Sequence, residues 1–186
     1  MIFIRHSTIL TSNKLFGITD VESSLEVNKN IISMRKKLSN IDVFYTSPAK
    51  RCLQTLNTIW PKKKEFVQDK RLWEQNFGDW EGLSYSQIPD IGRLTDESLA
   101  NYPIPNGESY NDMCKRIQPA IKEIAKNSLS KSSIIMAHAG TIRAAIALAL
   151  DSNFKALRFE IEHLSLTRIR VLENRDFSII STNMNL

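Results

Sequence analysis

The stretch SIIMAHAGTIRAAIALAL, residues 133–150, changes its period half-way. Ser133 to Ala137 is a short run of small and apolar residues, which reads as a strand buried on both faces. His138 follows. From Gly140 to Leu150 the chain is too long and too alanine-rich for a strand and reads as an apolar helix. The amino terminus repeats the pattern in brief. Met1-Ile2-Phe3-Ile4-Arg5 reads as a second buried strand, and His6 comes at its carboxyl end. Two of the three histidines therefore follow short apolar strands, the position at which ligands bind in open α/β sheets.

Working outward, residues 22–39 read as a helix, with Val27, Ile31, Met34 and Leu38 at helical spacing. Residues 41–46 read as a strand. Ser47-Pro48 has the chemistry of a helix start, serine as N-cap and proline in the first turn, and the helix should stop before Pro61. Residues 74–107, rich in glycine and proline, read as irregular, and residues 80–107 are expected to line a pocket. A further helix should begin at Ser109, whose spacing to Asp112 suits a capping box. Its stripe is Met113, Ile117, Ile121 and Ile124, and Pro119 should kink or split it. Residues 165–172 and 177–182 read as two late strands. The expectation is one domain, residues 1–186: an α/β fold, a three-layer α/β/α sandwich around a mainly parallel sheet.

Composition narrows the function classes. Of 186 residues, 42% are hydrophobic and 24% charged, enough to bury a core without staples. Cys52 and Cys114 lie in helical patterns and have no zinc-ligand spacing, so they read as reduced core residues, and no metal or other cofactor is expected. The first apolar run is too short for a signal peptide and no run is long enough to span a bilayer, so the reading is cytoplasmic with no membrane partner. The net charge of +5 and pI of about 9.2 favour anionic ligands. The basic residues are scattered, and Lys62-Lys63-Lys64 follows Pro61 in what reads as a solvated loop, so no nucleic-acid partner is expected. Oligomeric state, monomer or homodimer, is not legible.

The polar residues around the two histidines describe an anion site. Arg5 precedes His6, and because strand neighbours point to opposite faces, the chain must bend there for both to reach one place. Arg51 lies one turn into the helix after Ser47. Residues 139–141 open a helix, so their N–H groups should face the same space. Guanidinium forks, helix N-termini and imidazoles together suit a phosphate.

Five segments carry a resemblance: Arg5-His6; Ser47-Pro48-Ala49-Lys50-Arg51; Leu72 to Gly82; Asn106-Gly107-Glu108-Ser109; and His138-Ala139-Gly140. In this order they resemble the histidine phosphatase superfamily, the phosphoglycerate-mutase-like clan. The resemblance implies that fold, metal-independent cleavage of a phosphate monoester, and a phosphoryl group carried on His6. It makes Arg5 and Arg51 phosphate clamps, with Ala139 and Gly140 beside them. It makes His138 a donor to the phosphoryl group and Glu74 the proton donor to the leaving group. Gly17-Ile18-Thr19-Asp20-Val21 resembles alpha-ribazole phosphatases, which implies alpha-ribazole 5'-phosphate or a similar small ester as substrate. A broad small-molecule phosphatase, a phosphoglycerate mutase and a phospho-ligand binding module are the alternatives.

The chemistry agrees with those roles. A neutral imidazole avoids the repulsion that a phosphate dianion exerts on hydroxide, and splits the reaction in two. Two adjacent arginines disfavour imidazolium and so keep His6 neutral. Glu81 is the nearby competitor to Glu74 as general acid. Trp73, Phe77 and Trp80 read as packing, Ser109 as a helix cap, and His163 as structural or exposed. Glu108 either holds an arginine or touches the substrate. Ser7 stands where the resembled family usually has glycine, and Ser12-Asn13 where it often has an asparagine six residues past the nucleophile.

Overall fold

The computed structural model describes residues 1–11, 13–63, 65–129 and 131–185. Ser12 and Lys64, named above, lie outside the described residues.

The sheet has six strands: β1 (Ile2–Arg5), β2 (Val43–Thr46), β3 (Val67–Gln68), β4 (Ser133–Ala137), β5 (Leu166–Val171) and β6 (Phe177–Met184), in the spatial order β3-β2-β4-β1-β5-β6. The first four are mutually parallel, with Ile2 to Arg5 set against Ile134 to Ala137. β5 and β6 add antiparallel pairs at one side. The α-helices among the described residues are α1 (Lys29–Lys37), α2 (Lys50–Ile59), α3 (Asp96–Ala100), α4 (Tyr110–Asn127), α5 (Ala139–Leu150) and α6 (Asn153–Ala156).

Strand alternation sorts the core into two clusters. Ile4, Phe44, Ile134 and Met136 pack with Ile31, Met34, Cys52 and Leu56 of α1 and α2. Phe3, Tyr45, Ile135 and Ala137 pack with α4, α5 and α6 on the other face. Every residue of β4 is buried, as its unbroken apolar run predicts for a strand covered on both sides. The three-layer α/β/α sandwich with a mainly parallel sheet is thus the observed fold.

Several elements differ from the reading of the sequence. α1 starts seven residues later than expected. Residues 22–24 are held extended against the loop after β1: Leu10 N–H donates to Glu22 O, Ser24 N–H to Thr8 O, and Ser23 N–H to the Gln54 amide oxygen. The helix begins where Asn28 caps it by accepting from Ile31 N–H at 3.1 Å, which leaves Val27 exposed. Ser47 is not the cap of α2. That helix starts at Lys50, whose N–H donates to Asp20 Oδ1 at 2.8 Å, so a carboxylate from another loop satisfies it. Pro119 does not split α4, which runs from its Ser109 cap to Asn127. The carbonyl that loses its donor is that of Lys115, on the exposed side. Within 74–107, α3 forms on a Thr95 cap.

No helix among the described residues is long and apolar enough to cross a membrane.

Candidate active site

Parallel pairing brings the carboxyl ends of β1, β4 and β2 to one edge, so His6, His138 and Ser47 emerge side by side. His6 lines a cavity of about 420 Å³ whose wall also includes Arg5, Arg51, Glu74, Ala139 and His163, while His138 and Ser47 are fully buried and lie outside that wall. Arg5 and His6 both reach it because the ladder ends there: His6 N–H still donates to Ala137 O at 3.0 Å, and the chain then turns away.

His6 is 6% exposed. Its Nδ1 lies 2.7 Å from Ser7 O. A carbonyl only accepts, so Nδ1 carries the proton and Nε2 keeps its lone pair. Burial first, then the charges of Arg51 and Arg5, hold its pKa well below the ordinary histidine value. Arg5 donates Nη1–H to Ile161 O at 2.6 Å, while its buried Nε has no partner. Arg5 is part of the cavity wall, which places its guanidinium where an anion would be met.

Arg51 is buried, and three of its N–H groups are committed: Nε to His138 Nδ1 at 3.2 Å, Nη1 to Thr19 O at 3.1 Å, and Nη2 to Gly17 O. Two more remain on its fork. The 17–19 loop is in turn gathered by Glu81, whose carboxylate accepts from the N–H groups of Gly17, Ile18, Thr19 and Phe77. Glu81 is therefore occupied in holding a loop, which separates it from Glu74.

Glu74 lies at the N-terminus of α5. Its Oε2 accepts from Gly140 N–H at 3.1 Å, and a Cβ at Gly140 would stand 2.1 Å from Oε1. The Gly140 amide, expected to face a phosphate, is thus turned onto Glu74, the anion nearest that helix end. Only Ala139 of the pair reaches the cavity wall.

His138 is fully buried, one layer behind His6, with ring centroids 5.2 Å apart. Since Arg51 only donates, His138 Nδ1 is the acceptor and Nε2–H faces Ser47 Oγ at 2.9 Å. Burial first, then Arg51, holds its pKa well down. Trp73 stacks parallel to its ring at 6.3 Å. Cys52, 3.6 Å from Nε2, has its thiol pushed up to about 12 by burial and is a packing residue.

Glu108 holds an arginine. It pairs with Arg116 and accepts from Asn76 N–H at 3.0 Å. Arg116 in turn donates to the carbonyls of Arg71, Trp73 and Glu74, and so fixes the segment that carries Glu74. Ser7 is buried against Thr55. Asn13 reaches the cavity with φ of 63°. Of residues 80–107 only Tyr85 lines the cavity, whereas seven of the described residues of 8–16 do. The sheet edge opens toward the loop that leaves β1, so the wall comes from there.

His163 and Arg143 were missed as cavity residues. His163 Nδ1 lies 2.9 Å from His6 O and its ring centroid 5.2 Å from that of His6. Only the β1–β5 pairing brings them together, and a sequence pattern carries no signal for it. Among the described residues no cluster of His, Cys, Asp and Glu has metal-site geometry.

Comparison with known proteins adds the family. Residues 1–185 match the profile of the histidine phosphatase superfamily (branch 1). A protein of Hydrogenobacter thermophilus named "Putative phosphoserine phosphatase 2" is 26% identical over 137 residues, 70% of this chain and 67% of that one. Human 6-phosphofructo-2-kinase/fructose-2,6-bisphosphatase 1 is 29% identical over 119 residues; the match takes in 62% of this chain and 24% of that longer protein. Two solved structures share the fold. Entamoeba histolytica phosphoserine phosphatase superposes with a TM-score of 0.82 at 21% identity, covering 99% of this chain and 96% of its own. Mycobacterial glucosyl-3-phosphoglycerate phosphatase does so with 0.84 at 20%, covering 100% and 98%.

Proposed function

Because the chain belongs to the histidine phosphatase superfamily (branch 1) and is a phosphatase, we propose that it hydrolyses small phosphate monoesters by way of a phosphoryl group carried on His6. The observation that carries this is the state of His6: neutral, with Nε2 free, in a cavity walled by Arg5, Arg51 and Glu74.

In the first step His6 Nε2 attacks phosphorus and the bond to the ester oxygen breaks. Arg5 and the two free N–H groups of Arg51 receive charge on the phosphoryl oxygens, the main task in such a transfer. Glu74 takes up a proton as the phosphate dianion settles beside it and gives that proton to the leaving alkoxide. In the second step water attacks phosphorus, Glu74 takes a proton from it, the P–N bond breaks, and phosphate and neutral His6 result. His138 keeps Arg51 aimed through Nδ1 in this arrangement, and donation from Nε2–H to the phosphoryl group requires its ring to turn from both Arg51 and Ser47. The residues need no metal for these steps.

The substrate reading is a small ester. The likeness of Gly17–Val21 to alpha-ribazole phosphatases has a structural account, since Gly17 and Thr19 carbonyls hold Arg51 and Asp20 caps α2. That segment supports phosphate binding in general and alpha-ribazole 5'-phosphate only as one candidate. The named substrates of the relatives, phosphoserine and glucosyl-3-phosphoglycerate, are the others.

The test is phosphate release in chelator from para-nitrophenyl phosphate, alpha-ribazole phosphate and phosphoserine, for wild type and His6→Ala. Turnover by wild type, none by the variant, and an acid-labile, base-stable phosphoprotein after quenching are expected. A folded wild type that releases no phosphate from any of them would end the proposal.

A further inference from the structure

The mechanism above leaves His163 unused, yet it is the second imidazole in the cavity wall and packs against the ring of His6. Its nearest polar contact is the His6 backbone: Nδ1–H donates to His6 O at 2.9 Å. The other end of the same peptide unit, Ser7 N–H, donates to Thr55 Oγ1 at 3.0 Å. Thr55 is itself fixed, since its hydroxyl donates to Arg51 O at 2.6 Å. The His6–Ser7 peptide is thus pinned at both ends, from α2 on one side and from the approach to β5 on the other. The following carbonyl, Ser7 O, accepts the His6 Nδ1 proton. Where that carbonyl points depends on the plane of the pinned peptide.

We propose that His163 is a positioning residue for the nucleophile: by holding the His6–Ser7 peptide it places Ser7 O under His6 Nδ1 and keeps the lone pair on Nε2. The inference rests on the phosphohistidine reading. Without the His163 bond the peptide is held by Thr55 alone, Ser7 O swings, and His6 samples the tautomer that cannot attack. Burial first, then Arg5, lowers the pKa of His163 itself, which suits a single donor bond to a carbonyl.

The amide of asparagine reproduces a histidine Nδ1 donor and that of glutamine the Nε2 position, so three variants separate the roles. With para-nitrophenyl phosphate, His163→Ala should lower kcat about tenfold, the order expected for a misplaced nucleophile, and leave KM within about twofold. His163→Asn should return to within about threefold of wild type, and His163→Gln should stay low. Inhibition by inorganic vanadate should hold its strength in all three. If Asn is as impaired as Ala, or if vanadate affinity falls in step with kcat, His163 touches the phosphoryl group directly and the inference is overturned. If His6→Ala is inactive and every His163 variant keeps wild-type kcat, only this inference fails. A folded but inactive wild type removes both.

Discussion

At the scale of single residues, the site is a set of buried groups whose charges are set by their neighbours. Gly140 has no room for a side chain, because its Cβ would meet Glu74 Oε1 at 2.1 Å. Gly140→Ala should displace that carboxylate and lower kcat by about 10²-fold, the lower range for loss of a general acid, with the fold intact by circular dichroism. The histidines give a pH signature. His6, His138 and His163 all have pKa values pushed below 6.5 in the fold. The unfolded chain then binds more protons than the native one below that pH. Their contribution to stability is complete above about pH 6.5 and is lost as pH falls toward the native values. Tm should therefore decline between pH 7 and 5, and less steeply in a His163→Asn variant. His6, Arg5, Arg51 and Glu74 were legible because each follows a strand, a helix start or a family segment. His163 was not, because its neighbour lies 157 residues away.

At the scale of elements, Arg51, the proposed phosphate clamp, depends on a loop that is tied from outside. Glu81 gathers four backbone N–H groups, and the carbonyls of the gathered loop hold Arg51. Glu81→Gln should weaken vanadate inhibition by about five- to tenfold, the value of one or two lost hydrogen bonds to a charged group. In α4, Pro119 is exposed and interior. Pro119→Ala should restore the bond to Lys115 O and raise stability by about 1–3 kcal/mol in urea titration, since proline inside a helix costs about that. β4 was read to the residue, because a run buried on both faces has sharp ends. The starts of α1 and α2 were misread for one reason. The decisive hydrogen bonds, Ser23 to Gln54 and Lys50 to Asp20, join segments about thirty residues apart, and local cap chemistry does not contain them.

At the scale of the whole molecule, the excess of five positive charges and the arginines at the cavity should draw in dianionic esters. Raising salt from about 20 to about 200 mM, which shortens the screening length roughly threefold, should lower kcat/KM several-fold through KM. The sandwich itself was legible from two strand–histidine starts and the apolar helix between 140 and 150. The antiparallel return of β5 beside β1 was not, and it moved the cavity wall onto residues 8–16. The strand order also has a consequence in time. β1, synthesised first, is flanked by β4 and β5, made from residues 133–137 and 166–171. His6, the proposed nucleophile, is therefore made long before the two strands that flank its own. Long-range pairing makes catalysis a late event: the site can form only once the segments of β4 and β5 have left the ribosome.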